Sequence, residues 1–326
     1  FILKMEHKIT LNDKKILEQL DLNARESNSQ IAKQAKVSKN IVNYQIRRLE
    51  QEGLIKRYIT VIDYSKLGYL QFRVFLNFYD LTPGKEEEVA VYLAKEKLTG
   101  IVARTSGDWD LIFTAYTHTP GEFQRWWEEF IKKFRSLFKE YATQLVTKEY
   151  FYPRTYIYKE KHAPVKTCWE CGGSPHEELD AKDQKMLSML AEDARLPITE
   201  LAKATGLGSM AIIYRLKQLD KKEVILGYRA DIDFTKLGYE HYKVQLELED
   251  PKICSSLQSY LKLHHQVISF TSAISDNVDA EFDLETAGID GFLQFMEELK
   301  KQFSGAIRDY KYISTLKLHK VNYLPG

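Results

Sequence analysis

The residue types able to do chemistry in this 326-residue chain cluster in two places. Between Ser38 and Arg48, a helical advance of 100° per residue puts Val42, Ile46 and Leu49 on one side. Asn40, Asn43, Tyr44, Arg47 and Arg48 then fall on the opposite arc. Asn and Arg can make paired hydrogen bonds to adenine and guanine edges, while Lys39, Lys56 and Arg57 suit phosphates. A polar helix face that simply stays solvated is the alternative. The second place is Cys168-x-x-Cys171, flanked by His162 and His176, which together could offer zinc four tetrahedral ligands. A reduced cysteine pair in a surface segment is the competing reading. No Ser/His/Asp order, phosphate-binding loop or His-Glu-x-x-His occurs, and His118 and His241 are isolated, so the chain does not read as an enzyme.

The elements that position these groups come from the periodicity. Ile16, Leu17 and Leu20 mark a first helix, with Asn12 expected to cap it; Ile31, Ala32 and Ala35 mark a second. Ser38 caps a third, which carries Val42, Ile46 and Leu49 and ends at Gly53. Three helices joined by short turns form a helix-turn-helix, and Leu54 to Ile62 suits a short β wing closing the same unit. The period then changes to two at Phe72, Val74, Leu76 and Phe78, and the segments after it follow the order βαββαβ of a ferredoxin-like sandwich.

Adding 170 to a residue number finds the same pattern again. Asp13 meets Asp183, Ala24-Arg25 meets Ala194-Arg195, and Lys66-Leu67-Gly68-Tyr69 meets Lys236-Leu237-Gly238-Tyr239. After one deletion, Asp110 meets Asp279 and Phe113 meets Phe282. The fold class expected is α+β, two tandem copies of a winged helix-turn-helix followed by a ferredoxin-like βαββαβ sandwich. The boundaries are 8–63 and 64–153 for the first copy, 154–178 for a linker holding the Cys-x-x-Cys, and 179–233 and 234–326 for the second.

The order Ile16-Leu17, Ala24-Arg25, Ile31-Ala32, Ser38, Val42, Ile46, Leu49-Glu50, Gly53-Leu54-Ile55, Tyr58, Asp63 and Leu67-Gly68 resembles the DNA-binding half of the Lrp/AsnC (feast/famine) transcription regulators. The βαββαβ unit with Gly107-Asp108-Trp109-Asp110 looks like their ligand-sensing half. The resemblance implies a double-stranded DNA partner, assembly into a homodimer or higher oligomer, and a small-molecule effector, usually an amino acid, at the glycine loop. The residues concerned are Thr105, Gly107, Asp108 and Asp110, with loop N–H groups for a carboxylate and an Asp for an amino group. A tight turn whose Asp residues satisfy backbone donors weighs equally. Fusing two units implies a dimer mimicked within one chain.

The copies differ. From Gln30 to Arg57 seven basic residues oppose two acidic ones, a local +5; from Glu200 to Gly227 five oppose three, a local +2. The second arc is Met210, Ile213, Tyr214, Lys217 and Gln218, with Gly208 in place of Ser38, so the second head is expected to be degenerate or used for protein contact, with a different operator half-site as the alternative. Its loop, Ser275 to Asp279, lacks the glycine. Adjacent Trp126 and Trp127 are expected to face apart, one inward and one toward a subunit contact. Whole-chain charge is only +1, so any nucleic-acid affinity must be local; three cysteines and the lack of a long apolar run point to the cytoplasm and away from membranes. Two other functions remain: a siroheme-decarboxylase-like tetrapyrrole enzyme, and a metabolite sensor that does not bind DNA.

Overall fold

The computed structural model describes residues 9–79, 84–158, 168–276 and 278–324. Helices α1 (Leu11–Asn23), α2 (Asn28–Ala35) and α3 (Lys39–Gln51) form the first helix-turn-helix; α6 (Ala181–Glu192), α7 (Ile198–Thr205) and α8 (Ser209–Lys221) form the second. The cap of α1 is Thr10, not Asn12: its hydroxyl accepts from the Asp13 N–H and the Asp13 carboxylate returns to the Thr10 N–H, a reciprocal capping box. Ser38 caps α3 as expected, accepting from the Ile41 N–H at 3.3 Å. Ile16, Leu17, Leu20, Val42, Ile46 and Leu49 are all buried.

The wing is the first departure. Strand β1 (Ile55–Ile62) does not close its own unit; it pairs antiparallel with β7 (Ile225–Ile232) of the other copy. An isolated strand leaves its backbone donors and acceptors unsatisfied, and the nearest matching edge belongs to the sister copy. Reciprocal hydrogen bonds finish the ribbon: Ala24 N–H to the Tyr228 carbonyl and Ala194 N–H to the Tyr58 carbonyl, Asp63 N–H to Val224 and Asp233 N–H to Leu54. The side chains follow suit. Ile16, Leu20 and Val42 share one continuous core with Leu187, Leu190 and Ile212, so the halves are not separate structural units.

Each ferredoxin-like unit has its expected order. The first is β2 (Leu70–Phe78), α4 (Lys85–Lys95), β3 (Thr99–Gly107), β4 (Leu111–Thr117), α5 (Pro120–Phe134) and β5 (Phe138–Phe151). The second is β8 (Glu240–Leu248), α9 (Cys254–Leu263), β9 (Val267–Ile274), β10 (Ala280–Thr286), α10 (Gly288–Gln302) and β11 (Ile307–Lys320). The strands run β5-β2-β4-β3 and β11-β8-β10-β9, and the end strands then change sheets. Strand β5 pairs with β2 through its first part and with β9 from Leu145 onward, while β11 pairs with β8 and then with β3 from Ile313 onward. Together they close an eight-stranded barrel. Helices α4, α5, α9 and α10 cover its outside over apolar cores.

Trp126 and Trp127 pack on the same core, contrary to expectation. They flank the Phe123–Phe130 pair, with Trp126 stacked on Phe130 at 5.4 Å and Trp127 on Phe123 at 6.1 Å; the apolar stripe of α5 is wide enough for both. The segment assigned to the linker also contributes a short strand, β6 (Trp169–Cys171), on the β5 edge.

Gly107 sits on the barrel seam with φ of 108°, and a Cβ there would lie 2.6 Å from the Tyr312 carbonyl of β11. Gly107→Ala is therefore expected to part β3 from β11 and lower unfolding free energy by at least about 1–3 kcal/mol in urea titrations. Gly238→Ala, at φ of 80° with nothing within 4 Å, serves as the control that carries backbone strain alone.

Candidate functional site

The proposed nucleic-acid face is open on α3. Ser38, Lys39, Asn40, Tyr44 and Arg47 are exposed, Tyr44 to 66%. Among the described residues, the side chains of Lys39, Asn40, Tyr44 and Arg47 have no hydrogen bond or ion pair. The face stands on the shared core rather than beneath the other copy. The remaining residues expected on it are committed elsewhere. Asn43 Oδ1 accepts from Asn28 Nδ2 at 2.7 Å, and Asn28 in turn accepts from Arg195 of the second copy at 2.7 Å. Arg48 lies 2.6 Å from Asp13, a carboxylate with no exposed surface, and that bond raises its already high pKa. Lys56 pairs with Asp233 at 3.4 Å, and Arg57 with Asp231 at 3.3 Å and the Val321 carbonyl, both across the β1–β7 ribbon. Sequence spacing showed these cations but not the strand that pairs with theirs.

On α8 the outward groups are Met210 (77% exposed), Tyr214 (64%) and Lys217. The tie from Arg48 to Asp13 has a counterpart there: Arg215 holds Asp183 and Asp180, both at 2.8 Å, from a different helical position.

In the glycine loop the polar groups bond within the chain. Thr105 Oγ1 donates to the Trp109 carbonyl at 2.6 Å, Asp108 Oδ2 accepts from the Tyr312 N–H at 3.0 Å, and Asp110 Oδ2 accepts from the Phe78 N–H at 2.9 Å. The close approach that Gly107 permits is that of β11.

The cysteine pair is not assembled into a zinc cage. Residues three apart on a strand point to opposite faces. Cys171 is buried near the Asp63 carboxylate, and burial pushes its thiol pKa well up; Cys168 packs against the second sandwich. His176 lies instead beside Gly68 and His118. His162 falls outside the described residues, and among those described no three His, Cys, Asp or Glu side chains converge to hold a metal.

The structure adds a site that spacing alone did not reveal: the barrel interior. Along β10, Glu281, Asp283 and Glu285 point inward while Phe282 and Leu284 point to the helices. That period of two, acid against apolar, was visible in the sequence, but an exposed sheet face gives the same pattern. Arg73 joins Glu149 to Glu281, and Lys243 joins Glu281 and Asp283, both at 2.9 Å. Arg154 joins Glu285 at 2.9 Å to Asp21 at 3.1 Å, and Arg229 holds Asp21 at 2.6 Å. Burial opposes each charge and the partners outweigh it: Arg73 and Arg154 are raised, Asp21, Glu281 and Asp283 lowered. Beside them lies a cavity of about 170 Å³, with an apolar wall including Ile101, Ala103, Ile112, Ile268 and Leu318. The β1–β7 ribbon contributes Ile59, Ala230 and Ile232 to its lining.

Comparison with known proteins agrees with this geometry. Residues 9–56 match the family described as winged helix-turn-helix DNA-binding, and residues 179–220, the second copy, match the AsnC-type helix-turn-helix domain. An uncharacterised HTH-type transcriptional regulator of Pyrococcus horikoshii is 31% identical over 114 residues, 35% of this chain and 76% of that protein. The chain belongs to the Lrp/AsnC family. The HTH-type transcriptional regulator LrpA of the same organism is 43% identical over 61 residues, 19% of this chain; the match spans 43% of LrpA's own length. Among solved structures, the siroheme decarboxylase NirDL superposes with a TM-score of 0.62 at 14% identity, covering 96% of this chain and 94% of its own. That likeness is one of fold. This member of the Lrp/AsnC family thus carries two copies of the unit, and no helix among its described residues is long and apolar enough to cross a membrane.

Arg47 and Arg48, neighbours on α3, are expected to separate cleanly. Arg48→Ala leaves buried Asp13 with its Thr10 hydrogen bonds but without a counter-charge, and is expected to cost about 1–3 kcal/mol in denaturant unfolding. Arg47→Ala, which removes no internal contact, is expected to leave the unfolding midpoint unchanged. Equal effects on stability would refute the division.

Proposed function

We propose that the chain is a sequence-specific regulator of transcription that binds duplex DNA through its two helix-turn-helix units. The observation that carries this is the face of α3 with exposed Lys39, Asn40, Tyr44 and Arg47, unpaired among the described residues and standing on the core that α8 shares. Arg47 and Asn40 would meet base edges in a major groove, and Lys39 would meet phosphate. The second copy's match to the AsnC-type domain favours α8 as a second reading head. Its Tyr214, Met210 and Lys217 suit different bases, with apolar contact to thymine methyl groups. One chain would then read two unlike half-sites.

A duplex recovered by selection on the full chain tests this by fluorescence anisotropy. Its binding constant should fall steeply with salt, and Arg47→Ala should flatten that slope by about one unit while weakening binding. A duplex symmetrised on the half-site protected by α3 should bind less tightly than the selected one. Absence of any selected sequence would reject the regulator reading; equal binding of the symmetrised duplex would reject the unlike half-sites alone.

We also propose control by a small effector. The glycine loop has its Asp108 and Asp110 carboxylates already receiving backbone donors, which favours the barrel cavity as the place for it. A tetrapyrrole enzyme would need space for a macrocycle, whereas about 170 Å³ lies below the ~300 Å³ lower range of drug-sized pockets. Titration with an iron-uroporphyrin is expected to leave the Soret band of the free porphyrin unshifted.

A further inference from the structure

The two reading heads differ in how each is tied to the opposite copy. At the start of α2 and on α3 the first copy has Asn28 and Asn43, where the second has Ile198 and Ile213. Arg195, from the second copy, reaches the asparagine pair: its Nη2 donates to Asn28 Oδ1 at 2.7 Å, and Asn28 Nδ2 donates to Asn43 Oδ1 at 2.7 Å. Arg195 is itself held in place, lying over the Tyr58 ring at 4.9 Å and donating to the Tyr58 hydroxyl and the Glu26 carbonyl, both at 3.4 Å. Its counterpart Arg25 donates to the Ala194 carbonyl, and the isoleucines offer no polar group through which a chain of bonds could continue.

The bonds from Arg195 to Asn43 can run in one direction only. A guanidinium has donors and no acceptor, so the atom of Asn28 that meets it must be the oxygen. The other end of that carboxamide is the NH2, which must in turn meet an oxygen on Asn43. Turning either amide would set donor against donor. What remains on Asn43 is Nδ2, a donor with no hydrogen bond among the described residues. Asn43 is half-buried beside the open Asn40, Tyr44 and Arg47 face, within one helical turn of Asn40 and Arg47 along α3.

We propose that Arg195 is a positioning residue for the first reading head, and that the relay through Asn28 makes Asn43 a donor that selects a base with an accepting major-groove edge, guanine or thymine. Guanine presents O6 and N7 and thymine O4, whereas adenine N6 and cytosine N4 are donors. An unrestrained asparagine favours adenine because it can donate to N7 and accept from N6 together. With Oδ1 occupied by Asn28, that second bond is lost. The inference rests on the regulator reading of the α3 face. It gives the second copy a part in the first copy's specificity, separate from any base that α8 meets.

Sequence selection on the full chain and three variants tests the proposal. Asn43→Ala should erase the preference at one position of the α3 half-site, and the parent chain should hold guanine or thymine there. Asn28→Asp keeps an acceptor for Arg195 but has no donor, so Asn43 must turn its Nδ2 inward and its Oδ1 outward. Preference at the same position should then invert to adenine or cytosine, with relative affinity on paired duplexes changing by about tenfold or more. Arg195→Ala frees the direction and should admit both classes of base there, while positions that depend on Arg47 keep theirs; a merely structural role would weaken every duplex alike. The inference is overturned by adenine or cytosine at the parent's position, by no position that answers to Asn43→Ala, or by an unchanged preference in Asn28→Asp. Hydrogen exchange of asparagine side-chain amides, followed by NMR without DNA, reads the relay separately. Asn28 should exchange slowly and Asn43 quickly, and Asn28→Asp should slow Asn43. Fast exchange at Asn28 overturns the relay even where duplex binding holds. Slow exchange there in a chain that selects no duplex leaves the relay standing and removes the regulator reading, with the base preference that rests on it.

Discussion

The structure depends on edge strands that find no partner within their own copy. A ferredoxin-like sheet in the order β5-β2-β4-β3 ends on two edges, and each edge offers a row of unpaired N–H and C=O groups. Here both are used up, because the long strands β5 and β11 each leave their own sheet and pair with the other copy's free edge. The wings solve the same problem on a smaller scale, as β1 and β7 pair only with each other. A single constraint, that buried backbone polar groups must be paired, thereby joins the copies twice and encloses a space between the sheets.

That closure explains which parts were legible in sequence. Helices α1 to α3 and the βαββαβ order depend on local period and caps, and both are written in residues such as Val42, Ile46 and Leu49 or Phe72, Val74 and Leu76. Strand partners are not local. The β-branched and aromatic content of Ile55 to Ile62 shows a strand but cannot say that its neighbour lies 170 residues away. Lys56 and Arg57 consequently looked free for phosphates, although Asp233 and Asp231 hold them. Arg48 looked free for the same reason: helical geometry gives its arc but not the buried Asp13 behind it. The α3 face itself was readable, since exposure follows from the opposite face being apolar.

The copies have also exchanged backbone roles. Each third helix is entered and left through a left-handed residue. At the turn before it the first copy has Lys36 at φ of 55° where the second has Gly206; at the turn after it the first has Gly53 where the second has Glu223 at φ of 56°. A side chain in that conformation costs of order 1 kcal/mol or more, whereas glycine has no such penalty. Each copy thus retains one relaxed turn and tolerates one strained one. Within a shared core, strain in one copy can be offset by packing in the other, which neither would have alone.

Covalent fusion permits what two identical chains could not have. Positions facing the barrel correspond between the copies as Ile112 with Glu281, Thr114 with Asp283, and Tyr116 with Glu285. In a symmetric dimer of the second copy, three acids from each chain would enter one interior, with Lys243 and Arg229 of each chain to meet them, six carboxylates against four cations. Repulsion among six buried carboxylates would then open the barrel. With the first copy uncharged at these positions and carrying Arg73 in the place of Lys243, one set of acids faces two unlike cations from opposite sides. The charged interior is therefore possible only because the sequences diverged, and the same divergence separates the Asn40 and Arg47 face of α3 from the Met210 and Tyr214 face of α8. The asymmetry inside the barrel and the asymmetry at the reading heads have a common origin in the joining of the two copies.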